Sequence, residues 1–233
     1  MTSLAVTLSI DSRGPCALYI ITDSRISWSQ RAIWDGGQKA FVSRFYPDIF
    51  GFCGDAFFPP AILRQVIEQI DAGLLFDEQA NSDERHAAIG ARFRVAIEAQ
   101  RNAPLKAFSV FHGSRDGMIR SSRFRLWRLQ YAPAGQNWTD TEINLNESTS
   151  YLAHIDGSGK SSIEGRAKSW AGSSAEGTSR AAIWSFCEAL RSGIDPYTGG
   201  APQLVGLWRN KMGQNFGFVW QGKKVSGRAQ STL

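Results

Sequence analysis

Apolar residues dominate 3–10 and 16–22, and Asp11-Ser12-Arg13-Gly14 between them reads as a turn, so the chain opens on a predicted β-hairpin. Short strands are predicted at 39–43 and 49–53. Pro59-Pro60 starts a helix with Ile62, Leu63, Val66, Ile67 and Ile70 at helical spacing. A second helix runs over 83–101, with Ile89, Phe93, Ala96 and Ile97 on one face. Strands are predicted again at 108–112, 118–129, 143–145 and 151–155, then a helix at 178–191, then strands at 203–208 and 216–220. Strands, two helices, strands, a helix and strands, without an internal repeat, suit two packed sheets covered by helices. One domain over 1–233 is expected.

Composition narrows the classes. With 233 residues and 42% hydrophobic, the chain can bury a full core. No apolar run approaches the ~20 residues of a membrane span. The start lacks the basic and apolar regions of a signal peptide, so a cytoplasmic protein is expected. Cys16, Cys53 and Cys187 are an odd number at unrelated spacings and suit reduced thiols. His86, His112 and His154 are scattered, and neither a metal nor a cofactor is expected. The sequons at Asn137 and Asn146 carry no weight without secretion. A net charge of +5 and a pI near 9.3 raise the question of nucleic acid. The densest basic stretch is Arg120, Arg123, Arg125 and Arg128, interleaved with Phe124, Leu126 and Trp127. A strand with one solvated face explains it better than a positive wall for acidic partners, and no nucleic-acid motif accompanies it.

The candidate chemistry lies at the amino terminus. Removal of Met1, which the small second residue permits, gives Thr2 a free α-amine beside its hydroxyl. Asp23, in Ile20-Ile21-Thr22-Asp23-Ser24-Arg25, and Lys39, in Gly36-Gly37-Gln38-Lys39, can tune that pair. A hairpin turning between Ser12 and Arg13 pairs Ile10 with Pro15 and would place Thr2 opposite Asp23; a one-residue slip would reverse every side chain. Gly157-Ser158-Gly159-Lys160-Ser161 resembles the end of a phosphate-binding loop, but His154 stands where that pattern needs glycine.

Five motifs in order resemble the proteasome β-type subunits, in the style of the compact bacterial homologues HslV and Anbu. They are Thr2-Ser3-Leu4-Ala5, Asp23-Ser24-Arg25 with Lys39 at the family's spacing, Gly51-Phe52-Cys53-Gly54, Gly157-Ser158-Gly159, and Asp195-Pro196-Tyr197-Thr198-Gly199-Gly200. The resemblance spans nearly the whole chain. It implies an α+β, four-layer αββα sandwich of the Ntn-hydrolase type, acting as a threonine-type peptidase.

In that resemblance Thr2 Oγ attacks a peptide carbonyl and its own amine, with a pKa near ~7.7–8, serves as base. Lys39 depresses the hydroxyl pKa and pairs with Asp23. Gly54 offers its N–H to the oxyanion. Ser158, Asp195 and Thr198 orient the amine. Ile26, Phe52 and Ala56 line an apolar specificity pocket, and Ser27 with the Gly54 region binds substrate backbone as an added strand. The implied partners are further copies in a double ring, a tetradecamer or dodecamer, with peptide substrates and an ATP-dependent unfoldase. Thr198 replaces the family's usual serine, and the first hairpin and the 39–54 stretch are longer than usual. The alternatives are a catalytically silent ring acting as scaffold or chamber, and an amidase for small substrates.

Overall fold

A computed structural model describes residues 2–29, 32–101 and 106–225. The strands are β1 Ser3–Asp11, β2 Gly14–Thr22, β3 Ile26–Ser27, β4 Ile33–Trp34, β5 Ala40–Val42, β6 Asp48–Gly54, β7 Phe108–Asp116, β8 Arg123–Ala132, β9 Asn137–Glu142, β10 Tyr151–Gly157, β11 Gln203–Trp208, β12 Lys211–Phe216, β13 Phe218–Trp220 and β14 Lys223–Val225. The helices are α1 Phe58–Asp71, α2 Ser82–Glu98, α3 Lys160–Ser169 and α4 Ser179–Ser192. None of them is long and apolar enough to cross a membrane.

Two five-stranded antiparallel sheets form the centre, sheet I in the order β10-β1-β2-β11-β12 and sheet II in the order β5-β6-β7-β8-β9. Strand alternation sends successive residues to opposite faces, and three cores result. Leu4, Val6, Leu18 and Ile20 of sheet I meet Ile49, Phe111 and Leu126 of sheet II in the inner core. Ala5, Ile21 and Leu204 pack outward against Ile163 of α3 and Phe186 and Leu190 of α4. Phe50, Phe52 and Val110 pack against Leu63 and Val66 of α1 and Phe93 of α2. This is the αββα sandwich.

The structure adds elements that the apolar pattern does not predict, because their sequence is polar, and shifts others. The edge strands β9 (Asn-Trp-Thr-Asp-Thr-Glu) and β12 (Lys-Met-Gly-Gln-Asn-Phe) are mostly exposed and carry little apolar pattern. The 216–220 strand is accordingly split between β12 and β13. Helix α3 buries only Ile163 and so leaves no periodic stripe. Ile143 and Leu145 lie outside any strand but pack on the inner core from the loop after β9. The strand expected at 118–129 starts later, because Gly117 is left-handed (φ +61°) and a short 3-10 turn covers Ile119–Ser121.

The first hairpin holds the most consequential correction. Asp11 faces Gly14 and Ile10 faces Pro15 as expected, but Ser9 then faces Ala17. Cys16 is the extra residue of a β-bulge, and every pair down to Leu4–Thr22 is displaced by one. The residue brought to Asp23 is therefore Ser3, not Thr2.

Candidate active site at the start of the first strand

Asp23 follows β2 directly and is wholly buried. A buried carboxylate needs donors, and three of the four come from remote parts of the chain, the fourth from Arg25 two residues on. Oδ1 accepts from the Ser3 N–H (3.0 Å) and from Lys39 Nζ (2.8 Å); Oδ2 accepts from the N–H groups of Arg25 and Gly199 (3.1 Å each). Lys39 is also fully buried, and its Nζ donates to the Arg25 carbonyl at 2.5 Å. Burial lowers the lysine pKa from its ordinary value, against the opposing pull of Asp23.

Thr2 stands one residue beyond the ladder. Its carbonyl accepts from the Ser158 N–H at 3.0 Å. Gly157 makes that approach possible: its φ is +93°, and a Cβ there would lie 1.8 Å from the Thr2 carbonyl oxygen. By alternation Thr2 shares the inner face with Leu4 and Val6, whereas Ser3 shares the helix-facing side with Ala5. Thr2 is buried, and its Oγ1 has no hydrogen-bond partner among the described residues. Met1, whose removal the sequence reading requires, lies outside the described residues.

Ser158, Asp195 and Thr198 converge behind this end of β1. Thr198 Oγ1 donates to Asp195 Oδ2 (2.7 Å) and also meets Ser3 Oγ (2.9 Å) and Ser158 Oγ (3.4 Å). With the Thr198 hydroxyl donating to Asp195, the Ser3 hydroxyl is the donor to Thr198. Burial would raise the Asp195 pKa, but the Ser158 and Thr198 hydroxyls and the Tyr197 N–H hold it below the ordinary value. Arg25 fixes this loop: it grips Asp35 through Nε and a terminal nitrogen (2.7 and 2.9 Å), and its other terminal nitrogen donates to the Pro196 carbonyl (3.2 Å). Sequence reasoning missed Ser3 and Asp35, whose roles depend on tertiary neighbours.

No protein-family model and no curated protein sequence matches this chain. Solved structures do match. One is Thiobacillus denitrificans BPH in complex with epoxomicin, 14% identical with a TM-score of 0.57, covering 90% of this chain and 100% of that one. Eukaryotic HslV from Trypanosoma brucei is 11% identical with a TM-score of 0.53, over 88% and 99% of the two chains. An Anbu mutant from Hyphomicrobium sp. strain MC1 is 12% identical with a TM-score of 0.55, over 100% and 89%. The chain has the proteasome-type Ntn-hydrolase fold.

Within this proteasome-type fold, Gly54 ends β6 at φ +105°, where a Cβ would lie 2.3 Å from the Ala107 carbonyl, so only glycine fits. The Gly51–Gly54 motif thus closes β6. Phe52 lends its N–H to the Lys39 carbonyl (3.3 Å), while its ring is wholly buried 6.5 Å from Phe41. Ile26 is buried, and Ser27 and Ala56 are half-buried. Ser27 Oγ donates to the Tyr197 carbonyl at 3.2 Å. Hydrogen bonds or backbone contacts therefore gather Thr2, Asp23, Lys39, Ser158, Asp195 and Thr198, with Ser27 and Phe52 at the margin.

Two other sequence features resolve differently. The Gly157–Ser161 turn does lie between a strand and a helix, but its Ser158 N–H is occupied by Thr2 and Lys160 pairs outward with Glu164 (3.9 Å). In the basic stretch, Arg125 pairs with Glu142 and Asp83 and lies over Trp127, and Arg128 pairs with Asp156. Phe124, Leu126 and Trp127 are buried. From Arg123 onward the stretch is strand β8, with Arg125 and Arg128 ion-paired, while Arg120 lies in the preceding 3-10 turn.

Proposed function

We propose that this chain is the subunit of a self-compartmentalised, cytoplasmic double ring that hydrolyses peptide bonds with Thr2 as nucleophile once Met1 is removed. The observation that carries the reading is the buried, unpartnered Thr2 hydroxyl at the strand end that the Asp23–Lys39 pair and the Ser158–Thr198–Asp195 cluster hold. The Thr22 and Ser162 hydroxyls also lack a partner among the described residues, but Thr2 alone would adjoin a free amine. In the reaction, Thr2 Oγ bonds to the scissile carbonyl carbon and its proton passes to the α-amine. The Lys39 ammonium favours the forming alkoxide, and the Gly54 N–H faces the oxyanion. Breakage of the C–N bond takes the proton to the leaving amine and leaves an ester on Thr2. Water, deprotonated by the same amine, then releases the acid product. Ile26, Ala56 and the Ser27 backbone would seat the peptide, and folded substrates would need a separate ATP-dependent unfoldase.

Intact-mass spectrometry with a peptide epoxyketone tests this. The expected result is loss of Met1 and a single adduct that Thr2→Ala abolishes without loss of assembly. Retained Met1 and no adduct would instead identify a silent ring acting as scaffold. Hydrolysis of small amides without peptide cleavage would identify an amidase.

A further inference from the structure

Lys39 sits where sheet II starts its edge strand β5, and edge strands leave backbone N–H groups without a ladder partner. Here those groups are claimed by one side chain from the opposite sheet. Gln203 Oε1 accepts from the Lys39 N–H (2.8 Å) and the Ala40 N–H (3.2 Å), and Gln203 Nε2 donates to the Gly37 carbonyl (2.7 Å). Successive N–H groups of a regular strand point to opposite sides, so their convergence on one oxygen means that the chain is bent around this amide just before β5. Gln203 is itself 5% exposed. It opens β11 and pairs with Thr22, the residue before Asp23.

The geometry matters because the site is divided between the sheets. Thr2 and Asp23 extend from β1 and β2 of sheet I, and Lys39 precedes β5 of sheet II. A polar residue at the head of the otherwise apolar β11 is out of place unless it bonds, and three of the four hydrogen-bonding sites of its amide are used. We infer that Gln203 is a positioning residue, a bridge between the sheets that sets the Lys39 ammonium against Asp23 and the Thr2 hydroxyl. The catalytic consequence rests on the proposed function of Thr2; the hold on Lys39 does not.

The test uses the full assembled chain and two readouts, acylation of Lys39 by acetic anhydride, mapped by mass spectrometry, and the rate of epoxyketone labelling at Thr2. In the wild type the fully buried Lys39 resists acylation. Gln203→Met keeps the length and removes all three bonds. It is expected to speed acylation of Lys39 and slow labelling of Thr2 by about tenfold each, the scale on which loss of a buried hydrogen bond is felt. Gln203→Glu keeps the acceptor but loses the donor and adds a negative charge, so Lys39 stays protected while its acylation profile moves to higher pH. Wild-type acylation in an assembled Gln203→Met overturns the inference. Should that variant fail to assemble, an unshifted profile in Gln203→Glu overturns it instead. A wild type that is not labelled at Thr2 sinks the peptidase reading, and the Lys39 acylation then decides the role of Gln203 by itself.

Discussion

Two fully buried aspartates, Asp23 and Asp48, each face a cation, yet they are built in opposite ways. Asp48 is surrounded by side chains: His112 Nε2 at 2.9 Å, Ser114 Oγ at 2.5 Å and Arg85 Nε at 3.1 Å. His112 and Ser114 come from the neighbouring strand β7 and Arg85 from α2 above it. Rings seal the cluster, with Phe50 stacked on His112 at 4.8 Å and His86 on Trp127 at 4.6 Å. Asp23 draws three of its four donors from backbone N–H groups, one in its own turn and two from distant segments. The first arrangement fastens a helix to a sheet. The second aligns chain segments beside the Thr2 hydroxyl, which has no hydrogen-bond partner among the described residues.

The largest effect expected is at Lys39. Lys39→Met leaves the Asp23 charge buried and unpaired, so chemical denaturation should show a loss of ~3–5 kcal/mol together with loss of epoxyketone labelling. Adding Asp23→Asn should recover only part of the stability, because its amide nitrogen would face N–H donors that the carboxylate accepts from, and none of the labelling. Asp48→Ala leaves buried Arg85 with only Asp116, 3.9 Å away, as counter-ion and should cost up to ~3 kcal/mol, yet each folded molecule should label at the wild-type rate. Loss of labelling there would break the distinction between the two clusters.

The smallest effect is the pH response of the Asp48 cluster. Burial pushes the His112 imidazole below its ordinary value of 6.5, against the pull of Asp48. The unfolded chain therefore takes up a proton near that pH which the native state refuses, and stability declines as pH falls below it. The Asp48 carboxyl is lowered from 3.8: burial alone would raise it, but His112, Arg85 and Ser114 outweigh that. Its contribution is complete above the unfolded value and is lost as pH falls through the folded one. Each group adds at most ~1.4 kcal/mol per pH unit. Urea titrations should show native stability falling from about pH 7.5 to 5.5, with a flatter slope in His112→Gln.

The legible parts of the fold were those with an apolar rhythm. The strands that became β1, β2, β6, β7 and β11 and the helices α1, α2 and α4 all bury a face and so announce themselves. Edge strands β9 and β12 and helix α3 are polar because solvent takes their outer surfaces, and periodicity passes over them. In the candidate site, Thr2, Asp23, Lys39, Ser158, Asp195 and Thr198, named from motif order, lie together, whereas no hydrogen bond links Gly54, Ile26 or Ala56 to them among the described residues. What could not be read was adjacency. The bulge at Cys16 is invisible to a pairing rule, and Ser3, Asp35 and Gln203 gain meaning only from partners brought near by both sheets.

The Asp23 carboxylate joins Ser3, in the first strand, to Gly199, just before β11. These partners are far apart in sequence, so the cluster forms only when the first and last strands of sheet I have come together, and a fragment lacking either cannot hold it.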